Sequence, residues 1–207
     1  MLENMPHWLG QALSNWRAGA DALAIARPEL AVATRLTLDS PAFADGARLP
    51  VRFTDDGEGV SPPLLWRDLP AGTASLALLV EDADSPTPQP LVHAVVWGLS
   101  PDDGGLAEGA IVDDGEGDAE GRDVGRNSYR RQGWLPPDPP TGHGEHRYAF
   151  QLFALDGGAV LEGHDPGRTA LIAAMAGHVL AAGLLVGTYS REALAPIGAV
   201  GPSGALA

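Results

Sequence analysis

Three polar residues stand where the apolar pattern calls for hydrophobic ones. The run Ser75-Leu76-Ala77-Leu78-Leu79-Val80 ends in two carboxylates, Glu81 and Asp82. A proline-rich turn follows, and a second apolar run, Leu91-Val92-His93-Ala94-Val95-Val96-Trp97, carries one histidine. Far downstream, His146 opens a third run, His146-Arg147-Tyr148-Ala149-Phe150. An isolated charge is costly among apolar neighbours, so each of these residues needs a polar partner. Histidines titrate near neutrality. Beside a carboxylate they can hold positive charge and donate charge-assisted hydrogen bonds, about twice as strong as neutral ones, to anion oxygens. Asp82, His93 and His146 are therefore expected to converge on one small anion-binding pocket.

The same residues would serve an enzyme, with Asp82 and His93 as general base and His146 as oxyanion stabiliser. The chain carries no Gly-x-Ser-x-Gly elbow, no cysteine and no phosphate-cradling glycine loop with a lysine, and so a binding module is preferred to a catalyst. A third class, a kinase or protease inhibitor, would act through its surface. No metal site or cofactor is expected. The acidic stretch Asp113 to Asp123 fails the calcium-loop template, with Ala119 at the sixth position and Gly125 at the twelfth when Asp114 is the first. His143 and His146 are wrongly spaced for two zinc ligands on one helical face.

These residues need strands to position them. Residues 75–82 and 91–99 are apolar on both faces, as central strands covered on each side are. At period two, Leu76, Leu78, Val80 and Asp82 share a face, as do Leu91, His93, Val95 and Trp97, and His146, Tyr148, Phe150 and Leu152. Shorter strands are expected over Thr34–Leu38, Leu49–Phe53 and Leu184–Ser190. Helical spacing of Trp8, Leu9, Ala12, Leu13, Trp16, Ala20 and Leu23 predicts an amphipathic helix over 4–26, ended by Pro28. A second helix is expected over Thr169–Ala182, stopped by Gly183. The chain divides into an N-terminal helical extension (1–30), one domain (31–195) and a flexible tail (196–207).

Composition narrows the partners. The 207 residues carry a net charge of −14, a field that repels nucleic acid and anionic membrane surfaces. Any anion must be captured locally. No uncharged apolar run approaches the roughly 20 residues of a membrane span, and the acidic start lacks a signal-peptide pattern. The expectation is a cytoplasmic protein without integral membrane association. With 27 glycines and 18 prolines, the chain reads as loop-rich and mainly β.

Six stretches, in order, resemble the phosphatidylethanolamine-binding protein family, in its bacterial Raf-kinase-inhibitor-like branch. They are Asp55-Asp56-Gly57-Glu58-Gly59-Val60-Ser61-Pro62-Pro63-Leu64; Asp82-Ala83-Asp84-Ser85-Pro86 with His93; Gly125-Arg126-Asn127; Pro139-Pro140 with Gly142; Gly144-Glu145-His146-Arg147-Tyr148; and Val186-Gly187-Thr188-Tyr189. The resemblance implies a central antiparallel β-sandwich with peripheral helices. It also implies a small pocket for phosphate-like groups, a phospholipid headgroup or a phosphorylated ligand. By motif position the pocket residues are Asp82, His93, Pro140, His146, Tyr148 and Tyr189. It further implies a cis bond at Ser85–Pro86, a homodimer, and modulation of a protein partner whose identity stays open; the apolar stripe of the N-terminal helix, which lies outside the resemblance, is expected to contribute to that dimer or to pack on its own domain. Two positions depart from the family pattern. Leu91 replaces an aromatic residue, and Leu135-Pro136 replaces Gly-Gly, where proline removes a backbone N–H donor.

Overall fold

The computed structural model describes residues 17–113, 123–161 and 166–191. Among these described residues, eight strands and one α-helix follow in order: β1 (Thr37–Asp39), β2 (Leu64–Arg67), β3 (Ser75–Asp82), β4 (Leu91–Leu99), β5 (Gly104–Leu106), β6 (Asp123–Val124), β7 (His146–Leu155), α1 (Arg168–Met175) and β8 (Val179–Tyr189). A five-stranded antiparallel sheet, ordered β6-β4-β3-β7-β8, faces a three-stranded one, β1-β2-β5. Leu76, Leu78 and Val80 of β3 pack with Phe150 and Leu152 of β7 against Leu38, Leu64 and Trp66 of the smaller sheet. The opposite face of the large sheet, with Ala77, Leu79 and Phe153, is covered by Leu171, Ile172 and Met175 of α1 and by Ala24 and Leu30. β3 is thus buried on both faces, and the expected β-sandwich is the fold.

Local boundaries differ from the sequence expectation, each for an identifiable reason. Residues 4–16 of the expected helix lie outside the described residues. Residues 20–30 form three successive 3-10 turns, not an α-helix. The backbone N–H groups of Ala24 and Ile25 leave any helical ladder to donate to the buried side chains of Glu81 and Gln151. Leu49–Phe53 is not a strand; Pro50 leads into a 3-10 turn at Val51–Phe53. The second helix stops at Met175, because Gly177 turns left-handed at φ 81. The chain then pairs with β7 from Val179 onward. Ser85–Pro86 is trans: the Ser85 carbonyl accepts from Thr87 N–H at 2.8 Å, closing the turn without a cis bond. The acidic residues 114–122 and the tail lie outside the described residues.

Behind the sheet, Glu81 is wholly buried. It accepts from Arg168 Nε at 2.5 Å, Gln151 Nε2 at 2.8 Å and Ala24 N at 2.8 Å. Arg168 also donates to the Ala22 carbonyl, so one buried ion pair fastens both the N-terminal turns and α1 to β3. Arg168→Ala strands the carboxylate and should lower stability by about 3–5 kcal/mol in urea unfolding. The double change Glu81→Gln with Arg168→Met should recover most of that loss.

Candidate functional site

Asp82 is the last residue of β3, at the edge of the sandwich core. Its register partners are Leu91 on β4 and Tyr148 on β7. One carboxylate oxygen accepts from the backbone N–H of Asp84 at 2.8 Å, a local turn that fixes the side chain. The other accepts from His146 Nδ1–H at 2.7 Å. His146 opens β7, and its far nitrogen, Nε2, meets His143 Nδ1 at 2.7 Å. The result is a buried chain of carboxylate, imidazole and imidazole. With Nδ1–H committed to Asp82, Nε2 of His146 is left to share a hydrogen with His143 Nδ1.

His93 reaches this group through a bulge. Val80 pairs with Ala94, but Glu81 pairs with Val92, so His93 is an extra residue in β4. Strict alternation would put His93 on the face of Val95 and Trp97, which is the α1 side. The bulge turns it to the sandwich side, where its ring meets Tyr148 edge-on at 5.1 Å and Trp134 at 6.0 Å. Bulges re-aim side chains next to sites in this way. Leu135 fixes the histidine twice. Its N–H donates to the His93 carbonyl at 2.8 Å, and its carbonyl accepts from His93 Nδ1–H at 2.6 Å.

These contacts set the protonation. Burial pushes the His93 pKa below its ordinary value, outweighing the opposing pull of the Asp82 charge and the Leu135 carbonyl. His93 is therefore a neutral ring, not the cation that the sequence suggested. Burial, helped by the charges of Asp82 and Asp138, pushes the Tyr148 phenol well above its ordinary value. Two buried polar atoms have no partner among the described residues, His93 Nε2 and Tyr148 Oη. One is an acceptor and the other can donate.

Asp84 belongs to the scaffold beneath. Burial works against its charge, but hydrogen bonds from Arg147 and Arg17 prevail and hold its carboxyl at about 2. Arg147 grips it through Nε, Nη2 and its backbone N–H. Arg17 reaches from the N-terminal segment to Asp84, and also donates to the carbonyls of Glu145 and His143. The turn that carries both histidines is thereby tied to the end of β3.

Asp82, His93, His146 and Tyr148 come together. Pro140 is buried beside them, and its carbonyl accepts from His143 N–H. Tyr189 is the strand neighbour of His146, but its hydroxyl donates to Asp56, 2.7 Å away, and Arg48 lies over its ring. Its polar end is committed elsewhere. Sequence reasoning missed His143 as a site residue, although its i, i+3 spacing to His146 was visible. It also missed the Leu135 carbonyl, which has no side-chain signature.

The comparisons agree with the fold. The family model described as phosphatidylethanolamine-binding protein matches residues 39–190. A Methanothermobacter thermautotrophicus protein named UPF0098 is 40% identical over 158 residues, 75% of this chain and 99% of its own. A Mycobacterium tuberculosis protein named as a lipoprotein, LppC, is 44% identical over 156 residues, 74% of this chain and 72% of its own. Among solved structures, the Chlamydia trachomatis homologue CT736 superposes with TM-score 0.66 at 35% identity, covering 77% of this chain and 99% of its own. Escherichia coli YbcL superposes with TM-score 0.68 at 26% identity, covering 76% and 99%. No helix among the described residues is long and apolar enough to cross a membrane. The fold, the ordered motifs and these relatives together place the chain in the phosphatidylethanolamine-binding protein family, a family of ligand-binding proteins.

Proposed function

We propose that this protein binds a small phosphoryl-bearing ligand, a phospholipid headgroup or a free phosphorylated molecule, and does so without turning it over. The observation that carries the reading is the pair of buried, unpartnered atoms, His93 Nε2 and Tyr148 Oη, beside the Asp82–His146 pair. A buried polar atom left unpaired costs about 1–3 kcal/mol, and a ligand that pairs it recovers that cost. Tyr148 Oη donates to an anionic phosphoryl oxygen. His93 Nε2 accepts, so the ligand must bring a hydrogen of its own. A phosphomonoester in its singly protonated form has a P–O–H, and a phosphoethanolamine headgroup has an ammonium. The family description names the second of these chemistries. The ring proton of His93 is committed to the Leu135 carbonyl, which suits holding a ligand better than relaying protons. Self-association and modulation of a partner protein are compatible proposals that rest on the resemblance, and location in the cytoplasm is one that rests on the sequence pattern.

The donor requirement makes a sharp test. Titration calorimetry with the full chain should detect inorganic phosphate and glycerophosphoethanolamine. Dimethyl phosphate, an anion with no donor hydrogen, should bind at least about 10-fold more weakly, because it leaves His93 Nε2 unpaired. His93→Ala and Tyr148→Phe should each weaken binding by about 10-fold, the worth of one hydrogen bond to a charged group. Equal affinity for all three anions would contradict the neutral-acceptor reading.

The neutral state of His93 also predicts the sign of a pH effect. The unfolded chain takes up a proton at this residue near its ordinary value of about 6.5. The folded chain does so only at the lower value that burial imposes. Between those two points the unfolded state binds more protons, so the contribution of His93 to stability falls as pH falls. In urea unfolding, the stability advantage of the native protein over His93→Asn should shrink between pH 7.5 and pH 5. An advantage that grows would reverse the assignment.

A further inference from the structure

The Asp82–His146 bond joins the end of β3 to the start of β7 through side chains. Arg17 joins the same two pieces through the main chain, and it lies outside residues 39–190, the part that the family model matches. Its backbone is delivered to the end of β3. Ala18 N–H donates to the Ser85 carbonyl at 3.1 Å, and Gly19 N–H donates to the Ala83 carbonyl at 2.8 Å. From there the guanidinium crosses to the turn before β7. Nη1 meets Asp84 Oδ1 at 2.8 Å and donates to the Glu145 carbonyl at 2.8 Å, and Nη2 donates to the His143 carbonyl at 3.2 Å. Glu145 immediately precedes His146. This turn needs an outside hold. Gly142 and Gly144 are both left-handed, at φ 83 and φ 97, and a glycine backbone is the least restricted of all. A Cβ on Gly144 would stand 3.3 Å from Arg17 Nη2, so the glycine also leaves room for the guanidinium. Asp84 is held by Arg147 as well, through Nε, Nη2 and the backbone N–H. What Arg17 adds is the tie from that carboxylate to the two carbonyls.

We propose that Arg17 is a positioning residue of the phosphoryl site: its guanidinium fork fixes the turn 142–146 against the end of β3, so that the N-terminal segment sets the affinity of a site built by the matched domain. This rests on the phosphoryl-binding reading above and adds to it a control from outside that domain. A site binds tightly when its groups are already in place, because ordering them on binding costs affinity. The shape of the fork matters as well as its charge. Two nitrogens in one rigid plane reach three oxygens, a geometry that the single ammonium of a lysine does not reproduce.

The test uses the full chain with Arg17→Ala, Arg17→Lys and, as a control, Arg27→Ala. Arg27 belongs to the same segment, and its exposed side chain pairs with Glu29. Each protein is titrated by calorimetry with inorganic phosphate and separately with glycerophosphoethanolamine, at a temperature where it is folded. Both Arg17 variants are expected to bind about 2- to 12-fold more weakly, the cost of ordering one more group on binding. The control should bind as the unmodified protein does. The probe that the unmodified protein binds more tightly identifies the source of the phosphoryl group. Unchanged affinity in either Arg17 variant, or an equal loss in the control, overturns the proposal and leaves the site reading standing. Failure of the unmodified protein to bind either probe overturns both. Arg17→Lys keeps a positive charge beside Asp84, so it decides the matter if Arg17→Ala does not fold.

Hydrogen exchange supplies a readout that a general loss of stability would not give. The amides of His143 and Arg147 donate to the Pro140 carbonyl and to Asp84. In the Arg17 variants both should exchange faster, while those of Leu79 and Phe150 in the central strands stay slow. Saturating phosphate should slow the two turn amides again. Unchanged exchange at both of them in the variants would overturn the proposal independently.

Discussion

The bond between Asp82 and His146 is the contact on which the site depends. A carboxylate at the end of a buried strand is tolerable only when its oxygens are occupied. One oxygen is occupied by the backbone of the turn after β3 and the other by the first residue of β7. That contact ties the end of β3 to the start of β7, beyond the last rung of their ladder. It commits Nδ1–H of His146 and leaves Nε2 facing His143 Nδ1. It also places a negative charge near His93 and Tyr148. The charge opposes the effect of burial on the first and reinforces it on the second. His93 and Tyr148 are consequently neutral beside that charge.

Under the proposed function, this arrangement explains how an acidic chain holds an anion. The arginines around the site are already engaged. Arg147 and Arg17 hold Asp84, Arg168 holds Glu81, and Arg191 holds Asp56 and Asp138. Each supports a loop or strand end, and none of these bonds reaches the unpaired atoms. Capture is left to short-range hydrogen bonds in a buried site, where they are electrostatically stronger than in water. Glu81 and Asp82 are consecutive residues with opposite duties. Alternation along β3 sends Glu81 to the α1 side, where it anchors the N-terminal turns, and sends Asp82 to the sandwich side, where it meets His146.

Much of this was legible in the sequence, for reasons that can be named. Period-two patterning put Asp82 on the face of Leu76, Leu78 and Val80, and put His146 and Tyr148 on the face of Phe150, and those faces are the ones that pack in the sandwich. His93 was legible as a site residue, but the route by which it reaches the site was not. A bulge reverses its face, and nothing in Leu91 to Trp97 marks one. Its charge was misjudged because burial pushes its pKa down against the opposing pull of Asp82 and of the Leu135 carbonyl, and the depth of that burial has no signature in the local sequence. His143 was masked by its position in a glycine turn, where no periodicity applies. The helix boundaries erred where long-range partners outcompeted local propensity: Glu81 and Gln151 claim the N–H groups of Ala24 and Ile25, and β7 claims Val179 onward.

The central claim is that a phosphoryl group is held between His93 and Tyr148, and it is most directly tested by a crystal structure of the full chain grown with glycerophosphoethanolamine. The account predicts a phosphoryl oxygen within hydrogen-bond distance of Tyr148 Oη and a ligand donor within the same distance of His93 Nε2, with the His93–Leu135 bond intact. Ligand density seated instead in the groove of about 1160 Å³ lined by Arg126, Arg130 and Arg168, with the His93 and Tyr148 atoms still unpaired, would contradict it.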